Sequence, residues 1–210
     1  MIALDVIWAP VGLIMKKLLG ILALGLFLIT PSQADDIRDF QIEGISIGNS
    51  LLDFISKDEL ANLKKSYYPN KKNFAGIFLQ QSSHEIYEEV GVDYDAESDE
   101  YIIHSIQGFL YFKNNIKNCY KKKKEVVSQL SKTIGNDVET ATYKSNHAYD
   151  KSGKSKTRIT DYFFKSGAQI RVMCLDWSDE ITTKTGWEDQ MQVVVNSKEF
   201  TNFLQNEAFE

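Results

Sequence analysis

The chain has 210 residues, 43% of them hydrophobic, and a formal net charge of −5 at pH 7. The apolar share excludes an intrinsically disordered protein, and the negative charge argues against a general nucleic-acid binder, which needs a basic surface. These bounds predict a folded protein that does not have nucleic acid as its partner.

The N-terminal stretch has the pattern of a secretory leader. Lys16 and Lys17 supply a positive start, and the run 18–30 is almost entirely apolar. Ser32 and Ala34 then place small residues where a signal peptidase cuts. The apolar run is shorter than the roughly 20 residues that span a bilayer, so a cleaved signal peptide is favoured over a retained anchor.

The stretch 1–14 fits a leader poorly, because it carries Asp5 where positive charge is expected. We therefore predict that translation starts at Met15 and that the signal peptide 15–34 is removed. Residues 35–210 are predicted to form a single domain in the periplasm or outside the cell. The chain contains no N-x-S/T glycosylation sequence, which together with the basic leader favours a bacterial envelope protein.

Period-two alternation and turn residues predict the strands of an antiparallel sheet. The six clearest strand segments are 74–81, 86–94, 101–112, 157–164, 168–177 and 191–195. A short strand over 40–47 and an edge strand over 138–143 accompany them. The segment 168–177 is apolar on both faces, which is typical of a central strand covered on both sides.

Capping residues predict the helices. Ser56 and Glu59 have the spacing of a capping box, and Ser197 caps a final helix. The longest helix begins after Asn114 or Asn115 and ends at about Ile134, before a Gly-Asn stop. The fold class is therefore α+β, with an antiparallel sheet of about six strands and packing helices. The order of elements also suggests a duplicated strand-strand-strand-helix unit.

Two cysteines follow the predicted leader, Cys119 and Cys174. In an oxidising compartment an even pair of cysteines predicts a disulfide, here closing a long loop. The alternative is a pair of buried free thiols that act as small apolar side chains.

The longest helix and the short segment before it carry a basic run: Lys113, Lys117, Lys121, Lys122, Lys123 and Lys124. Four consecutive lysines sweep most of the way round a helix, so they cannot all face solvent. One interpretation is that their apolar stems lie along the protein surface. The other is an anion-binding patch for anionic lipid or a polyanionic envelope polymer, joined by the later basic residues Lys151, Lys154, Lys156 and Arg158.

Three short motifs match known chemistry only in part. The G-x-S-x-G sequence at 44–48 resembles a nucleophile elbow around Ser46, but it lies too near the predicted processed N-terminus for an earlier oxyanion loop. The sequence 153–155 lacks the first glycine of a P-loop. The acidic run 93–99 lacks the glycine and glutamate of a calcium loop. We predict no metal and no cofactor.

His104 is the one histidine predicted to share a face with apolar residues of its strand. A core histidine with a satisfied hydrogen bond is the commoner outcome. If His104 belongs to a polar site, the carboxylates of Glu43, Asp53 or Asp176 are the candidate partners.

The residues 45–52 (ISIGNSLL) resemble the strand–turn–helix opening of small bacterial envelope domains, namely outer-membrane assembly lipoproteins and β-lactamase-inhibitor-like modules. Those domains pack two helices on an antiparallel sheet, so the resemblance implies α+β packing. The chain lacks the lipidated cysteine and the Gly-x-Pro sequence of these domains, and no function is carried over.

The sequence favours a soluble exported protein that acts as a non-catalytic binding or interaction module of the bacterial envelope. Its partner is predicted to be an envelope protein, or an anionic lipid or polymer. The alternative is a small periplasmic hydrolase, for which Ser46 and His104 are the candidate catalytic residues.

Overall fold

The computed structural model describes residues 36–79, 85–113 and 115–209. The predicted start at Met15, the signal peptide and its cleavage site lie outside these residues. Within these three ranges, no helix is long and apolar enough to cross a membrane.

The described residues form ten strands and four α-helices. The strands are β1 (Gln41–Ile42), β2 (Ile45–Ser46), β3 (Ser66–Tyr67), β4 (Phe74–Leu79), β5 (Glu89–Asp95), β6 (Ile103–Tyr111), β7 (Glu139–Asn146), β8 (Lys156–Phe163), β9 (Gln169–Asp176) and β10 (Gln190–Asn196). The helices are α1 (Lys57–Asn62), α2 (Ile116–Thr133), α3 (Asp179–Thr185) and α4 (Lys198–Asn206).

Eight of the strands build one antiparallel sheet in the order β3-β4-β5-β6-β10-β9-β8-β7. The predicted α+β class with an antiparallel sheet is confirmed, but the expected number of about six strands is too low. The difference arises at the edges, where β7 pairs along its whole length and β3 adds two exposed residues without apolar alternation. The duplicated unit stays a prediction: β4–β6 precede α2, whereas α3 interrupts β8–β10 before α4.

The predicted strand 40–47 is instead a separate two-stranded hairpin of β1 and β2. Ile42 pairs with Ile45, so only Glu43 and Gly44 form the turn. Their φ angles are 51° and 80°, and positive φ at both positions is what a two-residue type I′ turn requires. The first glycine of the G-x-S-x-G sequence, Gly44, therefore forms part of a hairpin turn.

The predicted helix starts agree with the structure. The backbone N–H of Ser56 donates to the Glu59 carboxylate at 2.8 Å, and the Glu59 N–H donates back to Ser56 Oγ at 3.2 Å, which completes the capping box. Asn115 caps α2 and Ser197 caps α4. The helix α3 was not predicted, because only seven residues separate its cap from its glycine end.

Alternate side chains of each strand point to opposite faces of the sheet. One face is covered by α2 and the N-terminal segment 37–63, which bury residues such as Val92, Ile106 and Val172. The other face carries α4 at one end, where two phenylalanines of the helix pack on Phe74. Between α4 and the segment that follows α3, this second face is open.

The predicted disulfide between Cys119 and Cys174 is present, with a Cα–Cα distance of 6.1 Å. It ties α2 to β9 on the covered face. The strand β9 is central, as predicted, but its cover is complete on one face only, since Arg171 and Met173 border the open side.

Candidate ligand-binding cleft

The open face of the sheet holds a cleft of about 640 Å³ near the start of β10, away from α4. This volume lies within the range of small-molecule sites. Most of the side chains that line it are rings: Phe78, Phe109, Tyr111, His147, Tyr149, Trp177 and Trp187.

The floor of the cleft is set by the pairing of β6 with β10. Phe109 lies directly opposite Gln192, and Tyr111 lies opposite Gln190. Directly opposed residues in an antiparallel pair point to the same face, so these four side chains share the open side. Phe78 of β4 packs on Phe109 with ring centroids 5.6 Å apart and forms one wall.

The other wall is a stack of four rings from three chain segments. His147 and Trp177 have centroids 4.3 Å apart, Trp177 and Trp187 lie at 4.8 Å, and Trp187 and Tyr149 at 4.7 Å. Tilted ring pairs at these distances contribute beyond their buried area. Tyr149 and Trp187 are 48% and 41% exposed, so the outer part of the stack is accessible to a ligand.

The loop that carries His147 and Tyr149 is fixed by the Asp150 carboxylate. One oxygen accepts from the N–H and hydroxyl of Ser152 at 2.9 and 2.6 Å. The other accepts from the N–H and hydroxyl of Ser155 and from the Ser178 hydroxyl, at 2.7–3.0 Å. These hydrogen bonds hold the pKa of Asp150 well below its usual range. The loop is therefore anchored to Ser178, the residue that follows Trp177.

Two further features place the indoles. The backbone N–H of Trp177 donates to the Asp189 carboxylate at 3.1 Å. Gly186 ends α3 with φ of 76°, a left-handed conformation that favours glycine and turns the chain towards Trp187. Burial raises the pKa of Asp189, and the hydrogen bond from Trp177 opposes this effect.

The electrostatics of the cleft are acidic. Glu89 and Glu188 line it, and no lysine or arginine of the described residues does so. The Tyr111 hydroxyl donates to Glu89 at 2.5 Å, and burial together with this carboxylate raises the pKa of Tyr111. Burial lowers the pKa of His147, which favours the neutral form of its ring.

One polar group of the cleft lacks a partner. The indole N–H of Trp177 is buried and meets no hydrogen-bond acceptor among the described residues. A buried donor without an acceptor costs about 1–3 kcal/mol, so such groups are rare unless a ligand or water completes them.

A second cavity of about 570 Å³ lies beneath α4 on the same open face, and Gln192 borders both cavities. Its lining is more polar and includes Arg171, Asp161 and the buried Asn196. Arg171 is paired to Asp161 through two hydrogen bonds of 2.7 and 3.0 Å, so its charge is compensated within the protein.

His104 lies outside the cleft. The register of β5 against β6 shifts between Asp93 and Tyr94, and His104 is the extra residue of this bulge. Its Nδ1 lies 3.0 Å from the Ser197 hydroxyl, and Glu199 lies at 4.0 Å. Burial lowers the pKa of His104. The structure thus places His104 at the start of α4 and not beside the carboxylates considered from sequence.

Two of those three carboxylates, Glu43 and Asp176, have other contacts in the structure, and Asp53 lies in the short 3-10 helix Leu51–Asp53. Glu43 accepts hydrogen bonds from three backbone N–H groups of the segment 85–87, and Asp176 accepts one from the Tyr120 hydroxyl. No described contact joins either carboxylate to His104.

Ser46 lies in β2 and is buried, and its backbone N–H donates to Asn49 at 2.8 Å. No described contact joins Ser46 to His104, and the hydrolase alternative stays a prediction. Within residues 36–79, 85–113 and 115–209, no three His, Cys, Asp or Glu side chains converge as metal ligands would.

The lysine run is dispersed around α2. Lys113, Lys117, Lys121 and Lys124 are exposed, whereas Lys122 is half-buried. Lys123 is buried, which agrees with the expectation that the run cannot all face solvent. The anion patch stays a prediction.

The cleft could not be recognised in the sequence, because its rings come from separate segments. The register of the sheet brings Phe78 and Phe109 together, and the connection between α3 and β10 adds Trp187. One signal was available: two of the three tryptophans of the chain lie ten residues apart, at 177 and 187, on either side of a short polar stretch. Comparisons with protein-family models, with curated proteins and with solved structures find no match to this chain.

Proposed function

We propose that the chain is an exported, non-catalytic binding module of the bacterial envelope that binds a small organic cation in the aromatic cleft. The observation that carries this proposal is the lining of the cleft, where seven rings and two carboxylates meet and no described lysine or arginine intrudes.

Aromatic faces carry negative electrostatic potential and attract cations. Each cation–π contact contributes about 0.5–2 kcal/mol, more where water is excluded, and ring-lined cages are the usual sites for quaternary ammonium groups. In this cleft Phe109 and Tyr111 rise from the floor, while Trp177 and Trp187 form a wall. An alkylammonium group between them contacts several ring faces at once.

Glu89 and Glu188 add long-range attraction for the same charge. Opposite charges at the edge of a partly desolvated cleft attract more strongly than in bulk water. The lowered pKa of His147 limits the repulsion between its ring and a cationic ligand. An anionic ligand would meet two carboxylates and no compensating cation of the described residues, so the charge pattern selects against it.

The buried N–H of Trp177 adds a second requirement. This donor has almost no exposed surface, so a ligand with a hydroxyl or carbonyl oxygen supplies the missing acceptor only where binding opens a path to it. The favoured ligand is therefore an alkylammonium compound that also carries a neutral oxygen, as choline does.

Export is supported by the leader pattern of 15–34 and is compatible with the Cys119–Cys174 bond, since cytosolic thiols are kept reduced. The same compartment gives the cleft access to ligands that enter the envelope from outside the cell.

Intrinsic fluorescence tests the ligand directly. Trp8 lies upstream of the predicted start at Met15, so a chain with Trp8→Phe has Trp177 and Trp187 as its tryptophans, and both line the cleft. Titration with choline is compared with titration with 3,3-dimethylbutan-1-ol, which has nearly the same shape but no charge. We expect choline to bind at least about tenfold more tightly, equivalent to one sheltered cation–π contact.

A matched pair of variants locates the charge effect. Glu188→Gln removes a carboxylate from the cleft, and Glu97→Gln removes one from the turn after β5. We expect the first to weaken choline binding and the second to leave it unchanged. Equal affinities for choline and its neutral analogue would contradict the proposed ligand class. Tighter binding of an uncharged sugar would show that the cleft binds a different class of ligand.

A further inference from the structure

A further groove, the basic groove, lies between α2 and the β7–β8 edge of the sheet, on the face opposite the aromatic cleft. Its volume is about 450 Å³. Four basic side chains line it, from three elements: Lys123, Lys124, Lys144 and Arg158. No carboxylate of the described residues lines the groove.

Lys123 is the central residue of this groove. It follows Cys119 by one helical turn, so it points towards the sheet with the buried stripe of α2 and is only 8% exposed. Its ammonium donates to Thr160 Oγ1 at 2.5 Å. No carboxylate oxygen of the described residues lies within 4.0 Å of this ammonium.

A buried charge without a counter-ion is unusual in a folded protein. Such a charge costs several kcal/mol of desolvation unless a partner compensates it. Burial lowers the pKa of Lys123, the charge of Asp161 opposes this shift from beyond hydrogen-bond distance, and nearby Arg158 adds to it. Thr160 is a neutral acceptor, and its hydroxyl also lies 3.1 Å from the Thr142 hydroxyl. The bond to Thr160 uses one of the three ammonium donors, and the other two have no described partner.

Arg158 is held beside this ammonium by an aromatic platform. Its guanidinium lies 3.7 Å from the centroid of the Tyr120 ring. Stacking uses the face of the guanidinium and leaves its edge for hydrogen bonds in the plane, the geometry that suits phosphate and sulfate oxygens. Tyr120 is itself fixed by its hydroxyl, which donates to Asp176 at 3.2 Å.

We propose that this groove binds the phosphate or sulfate group of an organic anion, with Lys123 and Arg158 as the direct ligands. Lys124 and Lys144 add charge at the rim, and Val127 gives the organic part of the ligand an apolar contact. The site is independent of the aromatic cleft, because the two lie on opposite faces of the sheet and have opposite charge. The same group is available from a phosphorylated solute or from a lipid headgroup.

The test uses inorganic phosphate and anionic vesicles as separate probes. Phosphate is titrated at constant ionic strength against sodium chloride and followed by calorimetry. Vesicles of phosphatidylcholine with and without phosphatidylglycerol are used in a sedimentation assay, in the presence and absence of competing phosphate. We expect phosphate to bind saturably, and we expect it to displace the protein from vesicles if the headgroup occupies the same groove.

Lys123→Met removes the buried charge while keeping an unbranched apolar side chain, and Lys132→Met is the matched control on the exposed side of the same helix. Loss of one charge-assisted hydrogen bond should weaken phosphate binding roughly 10- to 100-fold in the first variant. The control should bind as wild type does. Because an apolar residue replaces an uncompensated buried charge, the Lys123 variant should unfold at the same or a higher temperature.

Equal losses in both variants would show general charge attraction and overturn the proposal. No saturable binding of phosphate to the wild-type protein would overturn it too. The protein could also bind anionic vesicles in a way that phosphate does not displace and Lys123→Met does not weaken. That result would assign the lipid contact to another surface and would also count against the groove. Neither result bears on choline binding in the aromatic cleft.

Discussion

Cys119 and Lys123 lie one turn apart on the buried side of α2, so the bond that fixes Cys119 to β9 also fixes the Lys123 ammonium over Thr160. The disulfide closes a loop with a sequence separation of 55. In the chain-entropy model, a bond across a loop of this length stabilises the folded protein by about 4 kcal/mol. Reduction, or the double variant Cys119→Ser with Cys174→Ser, should therefore lower the free energy of unfolding by about that amount.

Urea unfolding with and without reductant measures this loss, and reductant should not change the double variant. The phosphate affinity of the basic groove should fall in parallel, because α2 is then held by packing alone. Blocking the freed thiols shows that the disulfide has been reduced. If the protein in this state unfolds with the same free energy as wild type, the prediction is wrong.

Asp93 makes stability depend on pH. It lies in β5 with 4% of its surface exposed, and its oxygens accept hydrogen bonds from Tyr68 and Gln107. Burial raises its pKa from 3.8 to about 6, although both hydrogen bonds oppose the shift. The folded protein therefore binds this proton more tightly than the unfolded chain does. Its contribution to stability is greatest below pH 3.8 and falls by about 3 kcal/mol as the pH rises through about 6.

Asp93→Asn removes this titration, so the variant should be more stable than wild type above pH 6 and similar to it near pH 4. Urea unfolding of both proteins from pH 4 to 8 gives the difference directly. Asp99→Asn, in the turn after β5, controls for the loss of one carboxylate. If the difference in free energy of unfolding between wild type and Asp93→Asn does not change with pH, the pKa of Asp93 is not raised and the prediction is wrong.

The pair Asp161–Arg171 joins β8 to β9 on the open face. Asp161 is 1% exposed and also accepts a hydrogen bond from Tyr143 at 2.9 Å. Arg171→Met leaves the buried carboxylate without its cation, which typically costs 3–5 kcal/mol. Because Arg171 is one-third exposed, we expect a loss at the lower end, about 3 kcal/mol.

The double variant Asp161→Asn with Arg171→Met should recover much of this loss, since no unpaired charge remains. The comparison is Lys165→Met, which breaks an ion pair with Asp137 in which both side chains are about three-quarters exposed. Exposed pairs contribute little, so its loss in thermal unfolding should be much smaller. Equal losses for the two single variants would contradict the importance of burial.

Local features of the fold could be predicted from the sequence because their cause is local. The capping box of Ser56 and Glu59 and the N-cap of Asn115 depend on residues three apart. The pairing of Cys119 with Cys174 followed from the cysteine count and the inferred compartment. Helical periodicity predicted that the lysines 121–124 cannot all face solvent. Which of them is buried, and which neighbours it meets, is set by how α2 packs on β8.

Features that depend on register could not be predicted. The alternation of β6 suggested that His104 shares the face of Ile106, but one extra residue in the bulge places it at the start of α4 instead. The cleft needs Phe78 of β4 and Trp187, which precedes β10, to line one pocket across the four strands β4-β5-β6-β10, and no pairwise pattern in the sequence specifies that order.

The last prediction concerns Asp150, which does not line the aromatic cleft but positions its outer wall. Its carboxylate holds Ser152, Ser155 and Ser178 together. In Asp150→Ala the loop 147–155 loses this anchor, so its rings should no longer rest against the indoles. The backbone amides of Ser152 and Ser155 should exchange with solvent much faster, because both donate to this carboxylate.

We expect choline affinity to fall several-fold, since one wall of rings becomes mobile, with a change in the near-ultraviolet circular dichroism of the stacked aromatic side chains. Lys151→Ala alters the adjacent exposed residue and should leave amide exchange, circular dichroism and affinity unchanged. A second-site change in Asp150→Ala that re-forms the serine contacts should restore both amide protection and choline affinity. If protection returns and affinity does not, loop order and ligand binding are separate. Unchanged exchange at Ser152 and Ser155 in Asp150→Ala would show that other contacts fix the loop, and the positioning role of Asp150 would be wrong.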